Sequence, residues 1–221
     1  MATGSTALTK LAGFREQFVI PDGVIYLDGN SLGVLPKAAI AAVRRTVEEE
    51  WGQGLIRSWN TADWVNAPRR CGDKIARLIG ARGSEIAFVK NTTEGLGFVA
   101  NGYPWKSGDN VIIADIEYPS NVYCWVRLAK LGVELRWVKN RQGRITVDDI
   151  RALMDSRTRI VSLSAVQFSN GYRQDLHGTA NLCNERGVLL NLDGIQWVGA
   201  LAIDVEPDYA PLLDAFPLPA D

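Results

Sequence analysis

Histidine occurs once in the 221 residues, at position 177, and cysteine three times, at positions 71, 124 and 183. A single histidine leaves no histidine metal cluster and no recognisable Ser-His-Asp layout, and His177 reads as a structural residue at a helix start. Cysteines so far apart form no CxxC pair and no metal-ligand spacing, so they read as reduced cytoplasmic thiols. Excess positive charge is also missing: 24 Lys and Arg stand against 25 Asp and Glu, a net charge of −1. A nucleic-acid surface or a membrane anchor wants a concentrated basic patch, so neither partner is expected. No apolar run approaches the roughly 18 residues of a spanning helix. The opening MATGSTALTKLAGFREQF lacks the apolar stretch of a secretory signal. A cytoplasmic location is the expectation.

What is present is apolar material in alternation with helix-like stretches. Hydrophobic residues make up 47% of the chain, enough for a substantial core. Six β-branched runs read as strands: 85–89, 110–115, 133–138, 159–164, 187–193 and 198–204. Helix-like segments fall at about 93–101, 120–131, 146–155 and 176–186, with Thr146 as an N-cap and Gly187 as a stop. Strands alternating with helices predict an α/β fold, a mostly parallel sheet covered by helices on both faces. Ligands then bind at the carboxyl ends of the strands, where Asp115, Glu117 and Asp193 fall. Residues 1–80 read differently, as an arm with a strand-like VIYLD, a long helix starting near Pro36 and a tryptophan-rich lid loop. Residues 81–205 read as the α/β domain. Residues 206–221 hold four prolines and no basic residue, and read as a loose tail.

Four stretches carry candidate chemistry. Asn91, Thr92 and Thr93 precede a helix, whose unpaired N–H groups and positive dipole end suit a phosphate; the alternative is that Asn91 or Thr92 only caps it. In DIEYPSNVYCW, Tyr118 lies just past a strand end, placed to stack on a flat ring or to pack in the loop. Ser120 and Asn121 can cap the helix that follows. SLSAVQFSNGY brings Ser164, Gln167, Ser169 and Asn170 to the same sheet edge, as ligand groups or as a plain turn. LLNLDGIQ ends a buried strand on Asp193, with Gln196 three residues on. A buried carboxylate is costly unless paired. The pyridinium N–H of pyridoxal 5'-phosphate (PLP) would pair it, and Gln196 could reach the ring oxygen; a salt bridge to an arginine is the alternative. One further motif is a decoy. GLGFVA (95–100) fits a dinucleotide-binding pattern, but five residues separate it from the preceding strand, so Gly95 and Gly97 are expected inside a helix.

The order of these stretches resembles the fold-type-I, class V group of PLP enzymes, which includes aminotransferases, cysteine desulfurases and kynureninases. The resemblance covers residues 24 to about 205. It implies PLP as cofactor, an amino-acid substrate and, in full-length relatives, a homodimer. It implies that Thr92 and Thr93 hold the phosphate, Tyr118 stacks on the ring, Asp193 pairs with the ring nitrogen and Gln196 touches the ring hydroxyl, with Ser164 or Asn170 supporting that face. IYLDGNSLGVLPKA and EWGQGLIRSWNTADW resemble bacterial kynureninases, in which Asn30, Ser31 and Trp64 would border the substrate. NTTEG, EYPSN and DGIQ look more like class V aminotransferases or desulfurases, because kynureninases usually show Phe, Asp and His where Tyr118, Asn121 and Gln196 stand.

The resemblance also implies a Schiff-base lysine downstream of the strand-end aspartate, and a C-terminal small domain. The seven lysines are Lys10, Lys37, Lys74, Lys90, Lys106, Lys130 and Lys139, all before Asp193. The expectation is a C-terminally truncated or frameshifted product with no catalytic lysine, able to bind PLP weakly, unable to run the full reaction, and prone to aggregate.

Overall fold

The computed structural model describes residues 13–29 and 31–205. Asn30 and the tail 206–221 lie outside the described residues. Contacts divide the chain into two units, Met1–Pro68 and Arg69–Asp221, a division that falls near the start of the helix Ala67–Ile79.

In the N-terminal unit, β1 (Phe18–Val19) pairs antiparallel with β2 (Leu35–Pro36). The predicted helix begins directly after Pro36 as α1 (Lys37–Arg45), then continues over Thr46–Gly54 wound as a π-helix. A 3-10 turn, Leu55–Arg57, leads to the short helix α2 (Ser58–Thr61). VIYLD forms no strand, contrary to expectation. It has no ladder partner, and Ile25 and Leu27 are 84% and 88% exposed. Ser58 is the only buried residue among residues 13–29 and 31–68, its hydroxyl donating to the Glu50 carbonyl. This unit therefore has no apolar core of its own among the described residues.

The second unit is built on four parallel strands: β3 (Asn110–Ala114), β4 (Glu134–Val138), β5 (Thr158–Ser164) and β6 (Leu189–Asp193), in the order β4-β3-β5-β6. Helix α3 (Ala67–Ile79) precedes them. Between and around the strands run α4 (Thr92–Gly102), α5 (Ser120–Val126), α6 (Val147–Arg151) and α7 (Leu176–Glu185). Alternate residues of β3 feed opposite faces, as strand geometry requires. Ile112 and Ala114 pack with Ile150, Leu182 and Cys183, whereas Val111 and Ile113 pack with Leu96, Trp125 and Leu128. Helices thus cover both faces, as the alternating sequence predicts. Each fully buried Ile or Val contributes about 1.5–3 kcal/mol through loss of water contact.

Two predicted strands are absent. Residues 86–89 join no ladder, and Phe88 is more than half exposed. In 198–204 only an isolated bridge between Val198 and Leu201 forms. Both segments have strand-forming side chains, but a strand also needs a neighbour to take its N–H and C=O groups. The described sheet ends at β6 on that side.

The helix signals hold. Gly95 and Gly97 lie inside α4, so the dinucleotide pattern is not at a strand–helix turn. Thr146 caps α6 by accepting from Asp149 N, and the Asp149 carboxylate returns a bond to Thr146 N. A Thr146→Ala chain should lose about 1 kcal/mol of stability, whereas Thr146→Ser should lose almost nothing; urea denaturation measures both. Gly187 ends α7 at φ 62°, a conformation that favours glycine. Cys124 and Cys183 are buried, and burial pushes their thiols up to about 11 and about 12, out of the reactive range.

Candidate functional site

The carboxyl ends of β3, β5 and β6 gather most of the polar side chains that the sequence singles out. β6 ends on Asp193, which is 5% exposed. Its Oδ1 accepts from Ile195 N at 3.0 Å, and it has no ion pair among the described residues. Burial pushes its pKa up, and the Ile195 bond offsets this only in part. The expected alternative, an arginine salt bridge, does not form. A buried carboxylate without a cation is what a protonated ring nitrogen would complete, so this position fits PLP.

Beside it, Ser164 ends β5 in register with Asp193, and Ala165 N donates to the Asp193 carbonyl at 2.9 Å. The Ser164 N–H and hydroxyl both donate to the carboxylate of Glu117, which follows β3. Gln196 lies in the turn after β6, half-buried, and its amide has no hydrogen-bond partner among the described residues. Trp197 is buried beside it, against Ala165 and Leu176, with the Arg173 guanidinium 4.4 Å over its ring.

At the start of α4, Asn91 is the cap: its Oδ1 accepts from Glu94 N at 2.9 Å. Capping therefore falls to Asn91, and the Thr92 hydroxyl has no partner among the described residues. Thr93 Oγ1 donates to Ser120 Oγ at 2.9 Å, tying this helix start to the first residue of α5. Ser120 and Asn121 do not cap α5, whose N-terminal position is Pro119 with no side-chain bond. Asn121 instead turns into the core, its Oδ1 accepting from Trp125 Nε1 and Ser162 Oγ. Tyr118 is 47% exposed and meets Phe168 edge to face, centroids 5.1 Å apart.

Asn170 is differently placed. Its amide donates to the Gly143 carbonyl and accepts from Tyr172 N, which fastens the turn at Arg141–Arg144. In the N-terminal unit, Ser31 is exposed, its N–H donating to the Asp28 carbonyl. Trp64 is half-buried there, with Nε1 donating to Glu50 Oε2 at 2.7 Å and its ring edge-on to Trp59. Glu117 and Ser120 enter the site more deeply than the sequence suggests. The available signal for Glu117 was its place just beyond a strand end.

The aminotransferase class-V family matches residues 25–207, more than four-fifths of the chain. This chain belongs to the class-V aminotransferase family. A kynureninase of Pseudomonas fluorescens is 36% identical over 216 residues, 92% of this chain and 50% of that protein. A kynureninase of Burkholderia pseudomallei is 34% identical over 203 residues, 88% of this chain and 48% of that protein. The chain spans about half the length of the curated relatives it matches. Among solved class-V-like folds, a cysteine desulfurase of Escherichia coli superposes with a TM-score of 0.78 at 24% identity, over 89% of this chain and 51% of that one. A lysine-to-alanine mutant of the lyase C-DES, with glycine covalently linked to its PLP cofactor, gives 0.79 at 22% identity, over 87% and 52%. The α/β architecture of this class-V chain is thus that of these solved structures.

Proposed function

We propose that the chain holds PLP at the carboxyl ends of its strands and binds an amino-acid substrate there, of the kynurenine type. The observation that carries the reading is Asp193: a buried carboxylate, at a strand end, with no cation among the described residues. When bound, PLP supplies an electron sink for charge developing on the amino acid. Asp193 keeps a proton on the ring nitrogen. Thr92 and Thr93 hold the phosphate at the helix start, where N–H groups lack intrahelical partners. Tyr118 covers one ring face, Gln196 donates to the ring hydroxyl, and Ser164 steadies the Asp193 side of the site; Asn170 supports it through the turn it fastens.

The identity of 36% to a kynureninase, over nearly the whole chain, supports the kynurenine-type substrate. A second reading is a class V aminotransferase acting on another amino acid, and Tyr118, Asn121 and Gln196 favour it, since each departs from the kynureninase pattern. The C-DES mutant, a structural neighbour that holds PLP with glycine covalently linked to it, supports the cofactor reading. PLP and pyridoxal titrations, followed by equilibrium dialysis, test the reading. PLP should bind more tightly than phosphate-free pyridoxal, and Thr92→Ala with Thr93→Ala should remove most of that difference. Equal affinities in the unsubstituted chain would overturn the phosphate assignment.

A further inference from the structure

We propose that Glu117 is a positioning residue for this site, an uncharged carboxyl that fixes the end of β5 beside Asp193. The inference rests on the PLP reading above. Glu117 is 8% exposed and sits on the segment between β3 and Tyr118. It accepts from Ser164 N at 2.8 Å, meets Ser164 Oγ at 2.5 Å, and accepts from Gln167 Nε2 at 3.0 Å. One side chain therefore joins three parts of the site. It lies next to Tyr118 in sequence, it grips Ser164, and Ser164 is the register neighbour of Asp193.

The groups around Glu117 carry no charge. They are Ser164 on β5, Gln167 in the turn after it, and Asn121 on α5. On adjoining elements the charged groups are Asp193 of β6 and Asp115, whose carboxylate is held by Asn140 and by Lys139 at 3.6 Å. Glu117 has no ion pair among the described residues, so burial acts on it as on Asp193 and pushes its pKa up, against the bonds from Ser164 and Gln167. Two buried carboxyls flanking one serine without a cation do not both ionise at small cost. The ring nitrogen brings a positive partner to Asp193 and none to Glu117. The two environments therefore separate, one carboxyl charged and one neutral. Neutral, Glu117 reverses the bond that the Ser164 hydroxyl donates to its carboxylate, gives its own proton to that oxygen, and still accepts from Ser164 N. Two buried atoms beside it, Asn121 Nδ2 and Gln167 Oε1, have no hydrogen-bond partner among the described residues.

Glu117→Gln, a permanently neutral isostere, and Glu117→Ala test this in the 221-residue chain. The first readout needs no cofactor. A group whose folded pKa is raised lends stability below its unfolded pKa and loses it as pH rises through the folded value. The thermal midpoint of the apo chain should therefore fall with rising pH above about 4.5, and Glu117→Gln should remove part of that fall. The second readout is PLP affinity against pH. Glu117→Ala should weaken binding by about tenfold, and Glu117→Gln should restore it. Glu117→Gln should also hold its affinity as pH rises through the raised Glu117 pKa, where the unsubstituted chain loses it, while both keep the acid limb set by Asp193. Glu117→Gln binding as poorly as Glu117→Ala, or a high-pH limb unchanged in Glu117→Gln, would overturn the inference. Absence of PLP binding by the unsubstituted chain would overturn the PLP reading instead, and the apo midpoints would still report on Glu117.

Discussion

Asp193→Ala is expected to weaken PLP binding by roughly ten- to a hundredfold, the worth of about 1.5–3 kcal/mol for a hydrogen bond to a charged group. The same substitution should leave the apo chain at least as stable near neutral pH. The two effects have one cause. In the apo chain the Asp193 carboxyl is buried with only the Ile195 N–H against it, so ionising it costs free energy. A protonated ring nitrogen removes that cost and gains a charge-assisted bond. The pH dependence follows with its sign. Binding uses the ionised carboxyl, so affinity falls as pH drops through the raised Asp193 pKa, and Asp193→Ala should show no such limb. Equilibrium dialysis across pH measures it. Equal affinity in the variant would remove Asp193 from the site.

Trp125→Ala is expected to cost the most stability of any single truncation in the second unit, about 3–5 kcal/mol, a large share of the roughly 5–15 kcal/mol that holds a typical domain. Trp125 is 1% exposed on α5, between Leu96 and Ala100 of α4 and Val111 and Ile113 of β3. Its removal leaves a cavity that these neighbours, fixed in helix and sheet, fill only in part. It also takes a donor from Asn121 Oδ1. The damage reaches the phosphate end, because α5 carries the Ser120 hydroxyl that receives Thr93. PLP affinity should therefore fall together with stability, whereas Trp137→Ala, on the edge strand β4 and 38% exposed, should cost clearly less because it leaves no enclosed cavity. Urea denaturation of both variants is the measurement. A Trp125→Ala cost as small as that of Trp137→Ala would contradict the packing described.

How far the sequence reveals this molecule depends on how local each cause is. β3 and β5 are legible because a parallel strand buried on both faces reads as a largely apolar run, as in VIIA of β3. The same logic fails for 86–89 and 198–204, where the side chains suit a strand and no described neighbour pairs with them. The capping of α6 by Thr146 and Asp149 spans three residues and reads directly; the π-winding of Thr46–Gly54 leaves no such mark. In the candidate site, Asp193, Thr93 and Glu117 are legible by position, because strand ends and a helix start announce them. The partners of Glu117 are not, since Ser164 and Gln167 stand 47 and 50 residues away. Asn170 reads as a ligand group by type, but its amide is engaged by Gly143 and Tyr172.

Nitrogen-15 NMR of ring-labelled PLP bound to the chain tests, at the atom concerned, whether Asp193 holds the proton on the ring nitrogen. The bound nitrogen should stay protonated to higher pH than in free PLP and should revert towards free behaviour in Asp193→Ala. A bound nitrogen that titrates like the free cofactor, or one indifferent to Asp193→Ala, would take the ring-nitrogen role away from Asp193.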